Sequence, residues 1–189
     1  MGKAVSSRRH HAPWLRARSV ATLALFILLC STSLQPQQDE RAVRAAYVYN
    51  LTKYVTWPKS GNELEICVAG GGSIGSSLER VVQGKVSDGR RILVSQRPLE
   101  QEIQRCDIIY FNATTTASVQ HMLDRLTGHP VLTVGESESF MRAGGMVGLL
   151  RSGDQIQIQV NLDQVRAGEL QMSSRLLDLA VVVHSGRRR

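Results

Sequence analysis

Short apolar runs alternate with amphipathic segments along most of this chain, and that alternation restricts the fold more than any other pattern. The segments 74–82 and 116–126 carry apolar residues at helical spacing. An earlier helix is predicted to open at Asp39 and Glu40 and to end before Trp57-Pro58, because the residue before proline leaves the α region. The apolar runs predict strands at 64–69, 92–95, 107–111 and 131–134.

The pattern changes after residue 143. Two glycine-rich turns precede the runs MVGLL (146–150) and QIQIQVN (155–161), and the second run alternates apolar with polar residues. Such alternation predicts a half-buried antiparallel strand. A last helix is predicted over 173–183. The expected fold class is α/β, with a mostly parallel sheet covered by helices on both faces and extended by a C-terminal antiparallel hairpin.

The first 33 residues have the layout of a secretory signal peptide. Five cations and no acidic residue open the chain, an apolar run follows over 20–29, and small polar residues end at Ser33. The apolar run is shorter than the ~20 residues that span a bilayer. An uncleaved N-terminal anchor is the alternative. We expect cleavage near Ser33, one domain over 34–184 and a basic tail over 185–189.

The net charge of +7 is concentrated at the two ends of the chain. Removing the five cations of the leader and the three terminal arginines leaves a body of net charge −1. A basic patch is the electrostatic footprint of nucleic-acid binding. The body lacks that excess, so we expect no DNA or RNA partner.

Two cysteines follow the leader, Cys67 and Cys106. In an exported protein a lone pair indicates a disulfide, and two buried free thiols are the alternative. A right-handed crossover places the strand of Cys67 beside that of Cys106, with the strand near Ile92 outside it. Both cysteines are expected early in their strands. Neighbouring strands lie about 4.8 Å apart, within the Cα separation of roughly 4.4–6.8 Å that a disulfide requires.

The stretch EICVAGGGSIGSSLER (65–80) resembles a dinucleotide-binding turn, because Gly70, Gly72 and Gly75 fit the G-x-G-x-x-G spacing. A ribose-binding acid should end the next strand, but Ser95-Gln96-Arg97 stands there. Free dinucleotides are also not a general resource outside the cytoplasm. We expect no cofactor at this turn.

Other chemistry is sparse. His121, His129 and His184 lack metal-ligand spacing, and no H-E-x-x-H or G-x-S-x-G pattern occurs. We therefore expect no metal and no catalytic residue. The residues alone favour a binding role over catalysis.

Several segments together resemble one family, the YfiR-like periplasmic proteins. The order and spacing of these segments fit across nearly all of the chain beyond the leader. They are RAAYVYNLTKYVTWP (44–58), ICVAGGGSIGSSL (66–78), CDIIYF (106–111), VLTVGESESF (131–140), AGGMVGLL (143–150) and VNLDQVRAGELQMSSRLLDLA (160–180).

The resemblance implies a repressor that binds the periplasmic sensor domain of an inner-membrane diguanylate cyclase. Less cyclic di-GMP is then made and surface attachment falls. It also implies an outer-membrane, peptidoglycan-binding lipoprotein that draws the repressor away, a homodimer, and a stabilising disulfide at Cys67 and Cys106. A second cysteine pair of some members is absent, because Met141 and Gly148 stand near those places.

Partner binding is expected toward the C-terminal half, at Phe140, Met146 and Arg175. Phe140 and Met146 flank a glycine-rich turn where apolar side chains can be exposed, and burial in the core is the alternative. Arginine is favoured as an interface anchor. The other function that stays open is a periplasmic small-molecule or anion-binding protein, with the Gly70–Gly75 turn as its anion site.

Overall fold

The computed structural model describes residues 36–58, 61–70, 74–97, 103–112 and 116–184. The fold belongs to the compact unit Asp39–Arg189, and residues 36–38 are the described part of the unit before it. The predicted leader and basic tail lie outside the described residues. The described helices are α1 (Pro36–Tyr54), α2 (Ile74–Val82), α3 (Thr116–Leu126), α4 (Glu138–Arg142), α5 (Leu162–Ala167) and α6 (Ser174–Leu177), with a 3₁₀ turn at Ile103–Arg105. The described strands are β1 (Val55–Thr56), β2 (Glu63–Ala69), β3 (Val86–Ser87), β4 (Arg90–Arg97), β5 (Ile108–Phe111), β6 (Leu132–Gly135), β7 (Val147–Ser152), β8 (Gln155–Asn161), β9 (Gln171–Met172) and β10 (Val181–Val183).

Eight strands form one sheet in the order β10-β8-β7-β6-β5-β2-β4-β3. Five adjacent strands of this sheet, in the order β7-β6-β5-β2-β4, are parallel to one another. The strand β8 returns antiparallel to β7 and forms the predicted hairpin. The sheet confirms the α/β fold class. It also places β2 between β5 and β4, so the strand near Ile92 lies outside that of Cys67, as the crossover rule predicts.

Alternate residues of the central strands feed two separate cores. Ile66 and Ile108 face a core that includes residues of α1 and α2, whereas Cys67 and Ile109 face a core that includes residues of α3 and α4. Side chains of a strand alternate between its two faces, so one apolar run serves both layers. Parallel sheets need such cover on both faces because neither face can be left to water.

The predicted helix over 173–183 is wrong in its second half. Helix α6 ends at Leu177, and Val181–Val183 instead forms β10, which pairs parallel with β8. Three successive valines favour the extended backbone, since branching at Cβ restricts their side chains in a helix. The valines thereby add a strand beyond the hairpin.

The boundaries of the first helix also differ from the prediction. The helix α1 begins at Pro36, ahead of Asp39, and ends at Tyr54. It ends early because Val55–Thr56 forms β1, which pairs with Gln171–Met172 far along the chain. Local periodicity carries no information on a pairing of that range. Where no such pairing intervenes, as at α3 and β8, the predicted limits match the structure.

Candidate functional site

The two cysteines are joined at the centre of the sheet. Cys67 and Cys106 form a disulfide with a Cα–Cα distance of 6.0 Å, and both residues are 2% exposed. Cys67 lies within β2, but Cys106 precedes the first residue of β5 rather than lying early in that strand. The turn at Ile103–Arg105 delivers Cys106, whose N–H donates to the carbonyl of Ile103 at 3.3 Å. The disulfide therefore ties a strand to a turn instead of two facing strand residues.

A buried ion pair adjoins the disulfide. Asp107 is 2% exposed and accepts from Arg90 Nη2 at 2.8 Å through one oxygen and from the Glu65 N–H at 2.8 Å through the other. Its carbonyl accepts from the Trp57 indole at 3.0 Å. Asp107 thus connects three segments, which are the chain just after β1 at Trp57, the strand β2 and the strand β4. Sequence reasoning missed this pair, because nothing in the spacing of Arg90 and Asp107 predicts their contact.

The glycine turn is described only at its ends. Gly70 has a φ of 92°, and Gly72 lies outside the described residues. Gly75 is buried in α2, and a Cβ placed there would lie 2.9 Å from the side chain of Gln96. Close approach of α2 to β4 is therefore sufficient reason for a glycine at position 75.

Phe140 is buried, contrary to the exposure that its turn suggested. It is 3% exposed, and its ring centroid lies 5.2 Å from that of Phe111. A Cβ added at Gly135 or Gly145 would lie 2.4 Å or 2.1 Å from atoms of the ring. These two glycines form a slot that admits the ring, so the glycine-rich turn buries the aromatic residue rather than presenting it.

The other two predicted contact residues lie in different settings. Met146 is 7% exposed, and a Cβ at Gly168 would lie 2.7 Å from its terminal methyl carbon. Arg175 is exposed on the short helix α6, whose N-cap is the side chain of Ser173. Phe140 and Met146 belong to opposite cores of the sheet. The three residues do not form one surface, and Arg175 alone of them is exposed to solvent.

Met141 and Gly148 are in direct contact. An ideal Cβ at Gly148 would lie 2.9 Å from both Cγ and Sδ of Met141. The thioether thus fills the space beside Gly148 between α4 and β7. The two Cβ positions are about 4.5 Å apart or less, within the range of a disulfide.

We predict that the double variant M141C/G148C forms a second disulfide in an oxidising compartment. The control is M141C/G153C, because a Cβ at Gly153 meets nothing within 4 Å. Mass spectrometry without reduction should show loss of two hydrogens from the added pair in the first variant only. Free added thiols in M141C/G148C, with the native bridge intact, would contradict this geometry.

A buried polar network anchors the N-terminal part of α1 to the sheet. Arg44 is 5% exposed and donates to the carbonyl of Leu149 at 2.5 Å and to Glu40 at 2.7 Å. Its Nε lies 3.6 Å from Glu136, which accepts from the hydroxyl of Tyr110. Burial, reinforced by the Glu136 carboxylate, raises the pKa of Tyr110, so the phenol stays neutral and donates. The network fixes α1 against β5 and β7.

The same network predicts a pH dependence through Glu40. The hydrogen bond from Arg44 lowers the pKa of Glu40 below its ordinary 4.5. A depressed pKa stabilises the folded state above the unfolded pKa, and that contribution is lost as pH falls through the folded pKa. Since Glu40 is partly solvated, we expect E40Q to lose about 0.5 kcal/mol at pH 7.

The measurement is denaturant unfolding of the native protein and E40Q between pH 7 and pH 3. The difference between them should begin to shrink below about pH 4.5 and should close as pH falls through the lower folded-state pKa of Glu40. The control is E79Q, because Glu79 is exposed and forms no ion pair within the described residues. A difference that is constant across this pH range would show that the carboxylate charge is not the cause.

The described histidines are His121, His129 and His184. His184 Nδ1 lies 3.2 Å from Asp163 Oδ1, and both side chains are exposed. Among the described residues, no group of three or more histidine, cysteine, aspartate or glutamate side chains is placed to hold a metal ion.

The family of the chain follows from its sequence. A sequence model of the YfiR/HmsC-like family matches residues 41–181, which is most of the chain and nearly all of the described domain. The chain belongs to the YfiR/HmsC-like family. This YfiR/HmsC-like family comprises periplasmic regulators of diguanylate cyclases, and it is regulatory rather than catalytic. No helix in the described ranges is both long and apolar enough to cross a membrane.

A solved structure offers a weaker likeness. The ABC domain from Streptococcus pneumonia in complex with L-Trp aligns at 11% identity with a TM-score of 0.40. The alignment covers 65% of this chain and 57% of the other. A likeness at this level carries no argument about the fold, ligand or partner of the YfiR/HmsC-like chain.

Proposed function

We propose that this protein binds the periplasmic domain of an inner-membrane diguanylate cyclase and holds the enzyme inactive, which lowers cyclic di-GMP and surface attachment. The observation that carries the proposal is the family match over residues 41–181. An outer-membrane, peptidoglycan-binding lipoprotein that relieves repression and a homodimeric repressor belong to the same proposal, on the resemblance of the sequence segments alone.

We further propose a cyclase-binding strip at the C-terminal end of the fold. The strip comprises Arg175 with Leu179, Val181 and Val182. Leu179 is 75% exposed, and Val181 and Val182 are 42% and 37% exposed. Val181 and Val182 follow each other in β10, the last strand at this end of the described sheet, so their side chains lie on opposite faces of an edge strand. Exposed apolar side chains are typical of a protein-binding site, and arginine is favoured as an interface anchor. Phe140 and Met146 are buried and are not part of the strip.

A small-molecule binder is supported less well. The cavity between α3, α5 and the turn after α4 measures about 330 Å³, and Asp124 is the charged side chain in its lining. The Asp124 carboxylate accepts from Gln120 at 2.9 Å. A ligand site normally brings several polar groups together on one ligand, and an anion would meet a carboxylate here. The exposed strip therefore favours the protein-binding proposal.

The test uses the purified protein and the isolated periplasmic domain of the cyclase. We expect R175E and the double variant L179D/V182D each to weaken binding at least tenfold, because charge and apolar area are lost from one strip. The matched control is V43D, since Val43 is also an exposed apolar residue, 46% exposed, but lies on α1.

Circular dichroism should show that all three variants stay folded. Unchanged affinity of both strip variants would show that the strip is not the binding surface. Absence of any binding by the native protein would overturn the proposed function itself.

A further inference from the structure

The strand β4 has an open edge. It runs from Arg90 to Arg97, but β3 pairs with it only at Arg90 and Arg91. The N–H of Arg91 donates to the Asn62 carbonyl on the β2 side, and the N–H of Ile92 donates outward to Lys85 at 3.4 Å. Backbone groups of a parallel strand point alternately to its two neighbours.

The next outward residues are therefore Val94 and Gln96. Within the described part of the chain no strand lies beside them on that edge. Among the described residues, none forms a backbone hydrogen bond with their outward N–H and C=O groups, which can therefore pair with a further strand. Exposed edges of this kind are templates for pairing with another chain.

A groove runs along this edge. It measures about 610 Å³ and lies between the C-terminal turn of α2 and the strands β3 and β4. Its lining includes Val86 and Leu93, which are 62% and 36% exposed, together with the partly buried Val94. An added strand would place alternate side chains against these apolar residues.

The rim of the groove is cationic. Arg80, Lys85 and Arg91 line it, against one carboxylate, Glu79. The Arg91 side chain pairs with Glu63 at 2.6 Å. Within the described residues, the Arg80 side chain donates to the Ser76 carbonyl and the Ser77 hydroxyl of its own helix, and it pairs with no carboxylate.

Lys85 has no carboxylate partner in the described chain. Its Nζ lies 4.3 Å from the centroid of the Tyr49 ring, and Lys53 Nζ lies at the same distance from that ring. Arg80, Lys53 and Lys85 thus carry charge that the described carboxylates do not neutralise. An occupant that brings acidic side chains would neutralise it.

We propose that the open edge of β4 is a docking site for an extended segment of a partner protein that alternates apolar and acidic residues and adds as a strand. The chain's own termini do not fit, because residues 1–35 contain five cations and no acid and residues 185–189 contain three arginines. A second copy would bring the same cations together. The site differs from the C-terminal strip and does not depend on the cyclase being the partner.

The test uses the exported protein and three acetylated, amidated heptapeptides. The first alternates glutamate with valine, the second alternates lysine with valine, and the third is the first with methylated backbone nitrogens. We expect the first to bind at least tenfold more tightly than the other two. We also expect amide exchange at Val94 and Gln96 to slow at least tenfold when it binds, because strand addition protects outward amides.

The matched protein variant is R80E/K85E, in which both changed residues are exposed. It should bind the glutamate peptide at least tenfold more weakly and the lysine peptide more tightly. No binding at millimolar peptide, equal binding of the methylated peptide, or unchanged exchange at Val94 and Gln96 would overturn the proposal. Concentration-dependent protection of these amides in the free protein would identify a second copy as the occupant and would also overturn it.

Discussion

Replacing both Cys67 and Cys106 with alanine is expected to lower the free energy of unfolding by about 4 kcal/mol, because the bridge joins residues 39 positions apart. That is a large share of the ~5–15 kcal/mol that stabilises a typical domain. The melting temperature should fall by roughly 10 °C. Differential scanning calorimetry of the native and variant proteins measures both effects.

Reduction provides the internal control. A reductant should lower the melting temperature of the native protein and leave that of C67A/C106A unchanged. Trp57 reports the same site by fluorescence, since its indole donates to the carbonyl of the residue after Cys106. If reduction leaves the melting temperature of the native protein unchanged, the disulfide is not a main source of stability.

The variant D107N is expected to lose about 3 kcal/mol of unfolding free energy, because it removes the charge that compensates a buried arginine. Arg90 is 8% exposed, and Asp107 is its paired carboxylate. The amide of asparagine keeps an oxygen that can accept from the Glu65 N–H, so the loss falls on the Arg90 side, where an NH2 donor replaces the charged acceptor. Urea unfolding measures it.

The neighbouring ion pair supplies the matched control. Arg91 Nη2 lies 2.6 Å from Glu63 Oε1, but the side chains of these residues are 70% and 50% exposed. Exposed pairs contribute little, so E63Q should cost about 0.5 kcal/mol or less. Equal losses in D107N and E63Q would show that burial does not set the energetics of the Arg90–Asp107 pair.

The sequence predicts those parts of the fold that depend on local periodicity. The alternation of strands and helices is enough to predict the parallel sheet, since each apolar run and each amphipathic stretch carries its own period. Handedness of the crossover then places β2 beside β5 and brings Cys67 near Cys106. The prediction of a helix at the final valines is wrong because the apolar residues of 173–183 also fit a helical period.

Contacts between distant residues are not encoded locally. The pairing of β1 with β9 joins residues more than a hundred positions apart, and so does the hydrogen bond from Arg44 to the Leu149 carbonyl. Phe140 shows the limit for the candidate site, because a glycine-rich turn fits both an exposed aromatic residue and a slot that buries one. Only the packing of Gly135 and Gly145 against the ring decides between them.

The central claim is that this protein represses a diguanylate cyclase from the periplasm, and cellular cyclic di-GMP tests it most directly. The nucleotide would be quantified by mass spectrometry in the native bacterium, in a deletion strain, and in that strain restored with the full chain or with residues 34–189. We predict that deletion raises cyclic di-GMP, that the full chain restores the lower level, and that the chain without its leader does not. An unchanged level on deletion, or restoration by the leaderless chain, would contradict the account.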